Sequence, residues 1–131
     1  MTVKRWLYER FMGMRLQVRR LVPPLVFHGD DGSRYLAERS NALDRELQRT
    51  HGQLDAGIDW CRAQLNSDMI AVDVGANAGY WSLPLARVSR VIAFEPDAAM
   101  RRKLAGNVAL NPEIEARIHV RHEAVSVETG E

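Results

Sequence analysis

Two acids and two glycines carry the chemistry that this chain is equipped for: Asp73, Glu95, Gly75 and Gly79. They stand in the segment Asp73-Val-Gly-Ala-Asn-Ala-Gly79 and, 20 positions after Gly75, at Glu95. That spacing suits recognition of a ribose by a strand–turn–helix unit. Gly75 allows a sharp exit from a strand, and Gly79 lets helix and ligand approach closely. Asn77 either caps the next helix or turns its amide toward the ligand. Glu95, at the tip of a second strand, can accept hydrogen bonds from both hydroxyls of a ribose; its competing role is a capping acid ahead of Pro96.

The same geometry serves dinucleotide enzymes, which place an anionic pyrophosphate at the helix start and keep other negative charge away. Here Asp73 stands two residues before the first glycine. A carboxylate there repels a diphosphate and attracts the ammonium group of a methionine moiety. The segment also lacks the three-glycine dinucleotide pattern. The expected ligand is therefore S-adenosylmethionine. The alternative is a nicotinamide-dinucleotide oxidoreductase half-domain.

The elements that must position these residues are legible in the apolar pattern. Met69–Val74 and Val91–Phe94 are short apolar runs of the kind found in buried parallel strands. A helix is predicted over Tyr80–Val88 between them. Asp97 caps another helix, bearing Met100, Leu104 and Val108, which Asn111-Pro112 ends. Ile118-His119-Val120 begins a third strand, so the order is that of half a doubly wound sheet. Upstream, Leu25–Phe27 and Tyr35–Ala37 flank a turn and predict a hairpin. Ser40-Asn41 caps a helix with Leu43 and Leu47, Gly52 and Gly57 act as breakers, and Ile58, Cys61 and Leu65 mark a further helix up to Asn66.

Composition sets the outer bounds. The 131 residues are 46% hydrophobic and 27% charged, a globular balance for one domain. One cysteine, Cys61, excludes an intramolecular disulfide, and the scattered histidines (His28, His51, His119, His122) predict no metal site. Net charge is +1, yet residues 1–27 carry +5 and the remainder −4. Residues 4–22 predict a helix with a stripe of Leu7, Phe11, Met14, Val18 and Leu21 flanked by arginines. That stripe packs on the domain or a neighbouring subunit, or rests weakly on an anionic membrane. Met12 and Leu16 on its polar face, and Gly13, favour packing. No apolar run is free of charge long enough for a secretory signal or a bilayer span, so a cytoplasmic location is expected.

Four blocks in register resemble the FkbM family of methyltransferases: Asp73-Val-Gly-Ala-Asn-Ala-Gly-Tyr-Trp-Ser82, Val91-Ile-Ala-Phe-Glu-Pro-Asp97, Asn107-Val-Ala-Leu-Asn111, and Ala124-Val-Ser126 with Gly130. The resemblance covers residues 58–131; residues 1–57 match no signature and read as an N-terminal extension of helix, hairpin and helix. It implies a Rossmann-like class I methyltransferase fold and methyl transfer to a hydroxyl oxygen on a sugar or other natural product. It further implies that Asp73, Gly75, Asn77, Gly79 and Glu95 line the cofactor pocket. Ala76, Tyr80, Pro96 and Glu123 complete the candidate set. Glu123 follows the third strand, where an acid can meet the adenine amino group, although a solvated loop carboxylate explains it equally. Tyr80 and Trp81 wall the pocket or, more commonly for such aromatics, pack in the core.

Against that family, Pro84 falls early in the first helix, where a missing amide donor costs little. The larger departure is that only three of the family's seven strands precede Glu131. The chain is thus expected to hold the cofactor half, with the first strand left with an open apolar edge, and to be sticky or poorly stable alone. A monomeric, cooperatively melting fragment would contradict that. The acceptor is expected to be a small molecule or glycan rather than nucleic acid. Its catalytic base is expected beyond Glu131, and no catalytic residue is assigned. A third possibility is a non-catalytic piece whose basic N-terminal helix associates with membranes or partners; liposome sedimentation with and without residues 1–22 tests it.

Overall fold

The computed structural model describes residues 25–38, 41–52 and 55–127. The predicted helix over 4–22 and the closing Gly130 lie outside those residues. In chain order the elements are β1 (Leu25–His28), β2 (Arg34–Ala37), α1 (Ala42–Arg49), α2 (Gly57–Gln64), β3 (Ile70–Val74), α3 (Ser82–Ala86), β4 (Arg90–Phe94), α4 (Ala98–Ala109), α5 (Pro112–Glu115) and β5 (Ile118–Arg121). β1 and β2 form an antiparallel hairpin; β3, β4 and β5 form a parallel sheet in that order.

Local chemistry explains most boundaries. Asn41 accepts from the Leu43 amide at 2.9 Å and opens α1, and Asp97 accepts from the Ala99 and Met100 amides at 2.8 Å to open α4. Three expectations shift. Gly57 begins α2 instead of breaking it, its amide held by Asp55 Oδ1 at 2.8 Å. α3 is shorter than Tyr80–Val88, because Pro84 has no N–H to return to the Tyr80 carbonyl, and Tyr80 and Trp81 stay in the turn before it. Pro112 does not merely end a helix: it opens α5 at the position where the missing donor is harmless.

The sheet has two unlike faces. Ala71, Val91, Ala93, Ile118 and Val120 point into a core that includes Leu83, Leu85, Leu104, Val108 and Ile114. On the opposite face Ile70, Val72 and Val74 are 47%, 59% and 59% exposed. Among the described residues, the outer edge of β3 has no strand partner. Among them, too, no helix is long and apolar enough to cross a membrane.

The hairpin and α1 share this core, because Tyr35 and Leu47 are fully buried within it. Two asparagines, Asn107 in the last turn of α4 and Asn111 just before α5, serve as the partner of the β2 edge. Asn107 Oδ1 accepts from the Leu36 amide at 2.7 Å, and Asn111 takes the Arg34 amide (2.9 Å) and donates to its carbonyl (2.8 Å). Both side chains are fully buried, so the ladder is dry. Asn107 also donates to the Ala78 carbonyl at 2.8 Å, joining hairpin and glycine segment through one side chain. N107A strands the Leu36 amide and the Ala78 carbonyl and should lower unfolding free energy by about 2–3 kcal/mol in urea melts.

Candidate functional site

The glycine segment leaves β3 and folds over the tip of β4. The Gly75 and Ala76 amides both donate to the Phe94 carbonyl at 2.9 Å, and the Gly79 amide to the Ala76 carbonyl at 2.8 Å. The turn is left-handed at Gly75 (φ 81°), Asn77 (φ 52°) and Gly79 (φ 87°). Asn77 tolerates this region better than most residues, and its Oδ1 accepts from the Ala78 amide at 2.8 Å. It is therefore a local turn-former and not the helix cap.

The two glycines are required for different reasons. A Cβ on Gly75 would meet nothing within 4 Å, so the space above it is open. A Cβ on Gly79 would lie 2.5 Å from Leu104 Cδ1 and 2.6 Å from Leu83 Cδ1. G79A therefore adds overpacking to a left-handed backbone and should cost about 3 kcal/mol, whereas G75A should cost about 1 kcal/mol. Paired denaturant melts check the difference.

Glu95 is buried, 7% exposed, and its two oxygens are oriented by backbone. Oε2 accepts from the Asn77 amide at 2.7 Å and Oε1 from the Asp97 amide at 2.8 Å. Each oxygen keeps a lone pair for a further donor. The strand exit is clamped from α4, where Arg101 donates to the Glu95 carbonyl at 3.0 Å and also to that of Pro96.

Asp73 lies on the core side of β3, and its Oδ2 accepts from the Ser82 hydroxyl at 2.6 Å. Burial pushes its carboxyl above the ordinary value; the Ser82 hydrogen bonds oppose this and the Glu95 charge adds to it. Ser82 stood in the recognised block without a role, and only its buried place at the start of α3 reveals one.

The remaining candidates divide. Ala76 is buried beneath the turn, and Pro96 is exposed beside Glu95. The Tyr80 ring turns into the core, 6.0 Å from that of Tyr35, with its hydroxyl on Asp44 Oδ1 at 2.5 Å. Burial and the Asp44 carboxylate push the Tyr80 phenol well above its ordinary range, so it remains a donor. Its side chain serves the turn from behind. Glu123 forms an ion pair with Arg121, which brings its carboxyl down to about 2. The structure thus brings Asp73, Gly75, Ala76, Asn77, Gly79, Glu95 and Pro96 together at the β3 and β4 tips, while Glu123 follows β5. Asp44, Lys103, Asn107 and Arg101 support the turn and were not among the candidates. For Asn107 a signal existed: an amide among the apolar residues Leu104 and Val108 of a helix, with a second amide, Asn111, four residues on where that helix ends.

Elsewhere, a cleft of about 480 Å³ beside the hairpin is lined by Asp30, Asp31, His51, Asp59 and Arg62, among others. None of the candidate residues lines it. Among the described residues, no group of three or more His, Cys, Asp or Glu is arranged to hold a metal ion.

No family model matches the chain, and no curated protein matches it. Solved structures do. PH0793 of Pyrococcus horikoshii, classed as a transferase, superposes with a TM-score of 0.56 at 22% identity over 78% of this chain and 37% of that one. TYW2 of P. horikoshii, solved in complex with MeSAdo, gives 0.53 at 24% identity over 78% of this chain and 36% of that one. The chain thus spans little more than a third of the length of these proteins. The likeness concerns the fold, and with the parallel β3–β4–β5 order it establishes a Rossmann-like α/β architecture.

Proposed function

We propose that this chain holds the cofactor half of an S-adenosylmethionine-dependent methyltransferase of the FkbM type, acting on a hydroxyl of a sugar or other natural product. The observation that carries the reading is the buried Glu95 carboxylate, oriented by two amides beside an open left-handed turn. Its spare lone pairs suit the two hydroxyls of a ribose. The open space over Gly75 can receive the nucleoside, and the nearby Asp73 makes the cleft favourable to an ammonium and unfavourable to a diphosphate. That TYW2, which has the same architecture, was solved with MeSAdo supports this choice of ligand.

Asp73, Gly75, Ala76, Asn77, Gly79, Glu95 and Pro96 would hold the cofactor, with Glu123 toward the adenine. When bound, the cofactor supplies a sulfonium methyl for in-line displacement. The residues here bind and orient it, and that positioning is a large part of such catalysis. A hydroxyl acceptor also needs a base to take its proton, and none of the residues named here is assigned that role. The FkbM and hydroxyl-acceptor readings rest on the four sequence blocks.

Calorimetry on the full-length protein tests the proposal. Uptake of S-adenosylmethionine or S-adenosylhomocysteine without uptake of NADH is expected. Tight NADH binding with no uptake of either methionine derivative would overturn it in favour of the oxidoreductase alternative.

A further inference from the structure

The far end of the glycine turn is held by a residue well upstream of it. Asp44, on α1, is fully buried and accepts from several donors: the Tyr80 hydroxyl at 2.5 Å, Lys103 Nζ at 2.6 and 2.8 Å, and the Glu38 amide at 2.8 Å. A buried carboxylate is tolerable only with such compensation, and Lys103 supplies the opposite charge. Tyr80 follows Gly79 directly, so the place of its phenol determines where the Asn77–Gly79 turn must end. The turn holds a non-glycine residue at positive φ, a conformation that persists when its surroundings over-determine it. Glu95 restrains it at the Asn77 amide, Asn107 at the Ala78 carbonyl, and Asp44 at Tyr80.

We infer that Asp44 is a positioning residue for the cofactor. Through Tyr80 and Lys103 it keeps the Asn77–Gly79 turn in the shape that receives the nucleoside, so the hairpin–helix segment ahead of the sheet sets cofactor affinity. The inference rests on the methyltransferase reading and extends it to a segment that no motif covers. Coupling of this kind is reciprocal: bound cofactor must in turn protect α1 from opening.

The test uses D44N, Y80F and the double variant in the full-length protein, with S-adenosylhomocysteine affinity by calorimetry and amide exchange at Asn77–Tyr80 and along α1. D44N can still accept from Tyr80 but leaves Lys103 without its anion; Y80F removes one hydroxyl and carries the test if D44N does not fold. Each is expected to weaken binding about tenfold and to speed exchange at Asn77–Tyr80 by a similar factor. The double variant should be weakened by less than the product of the two single effects, since Tyr80 and Lys103 meet on the one Asp44 carboxylate. I114A, which opens a cavity in the same core away from this network, should leave affinity within about twofold.

Unchanged affinity and unchanged exchange in D44N and Y80F would overturn the inference. So would an I114A that binds as poorly as they do. If the unmodified protein takes up no S-adenosylhomocysteine, the methyltransferase reading fails instead; exchange at Asn77–Tyr80, which needs no ligand, still decides whether Asp44 holds the turn.

Discussion

Replacing Glu95 with alanine should weaken S-adenosylhomocysteine binding by a hundredfold or more. An ionised carboxylate accepting from two ribose hydroxyls forms two charge-assisted bonds, each worth about 1.5–3 kcal/mol. Every 1.4 kcal/mol or so is a factor of ten in affinity. The variant also releases the Asn77 and Asp97 amides, which Glu95 holds at 2.7 and 2.8 Å, so the turn loses a restraint as well as the ligand an acceptor. E95Q should be almost as damaging despite its identical size. Both Glu95 oxygens already accept from a backbone N–H, so an amide NH₂ placed at either would oppose donor to donor. Isothermal calorimetry reads both. Affinity within threefold of the parent in E95A would remove ribose recognition from this residue.

D73N should separate stability from binding. The Asp73 carboxyl is raised in the folded protein, first by burial and further by Glu95, against the pull of Ser82. A raised carboxyl favours the folded state while it is protonated. That contribution is fully present below the ordinary carboxylate value and is lost as pH climbs through the higher folded one. At neutral pH the ionised Asp73 therefore works against folding, and the neutral amide removes this cost while its oxygen can still accept from Ser82. D73N is expected to melt at or above the parental temperature at pH 7 and to show a flatter rise in stability on mild acidification.

Binding should move the other way. S-adenosylmethionine affinity should fall about tenfold or more, since the amide no longer attracts an ammonium. Any NADH binding should not fall at all. A D73N protein that melts lower and keeps its affinity would show that the acid is a structural cap without a part in ligand choice.

Much of the fold was legible because its determinants are local. Apolar runs that stop at glycine mark β3, side-chain oxygens at Asn41 and Asp97 start α1 and α4, and the Gly-Asp-Asp-Gly-Ser turn forms the hairpin. Each depends on torsions and hydrogen bonds within a few residues. Local reasoning slipped where a neighbour intervened. Gly57 is held in a helix by Asp55, Pro84 withholds the amide that would have extended α3 backwards, and Pro112 sits where its lack of a donor permits a new helix.

The candidate site was legible to the same depth. The types and spacing of Asp73, Gly75, Gly79 and Glu95 are a property of the chain, and the proposed ribose-recognising, anion-averse turn follows from them before any coordinate is known. Which face of each side chain is spoken for was decided only by tertiary structure. The Tyr80 ring faces Asp44 rather than the cleft, Asp73 answers to Ser82, and Asn107 bridges Leu36 to Ala78. Asp73 and Ser82 are nine residues apart and the other partners 29 to 71, and nothing in local torsional preference links them. Their pairing arises because buried polar groups must find partners once packing has excluded water, and packing is a property of the whole fold.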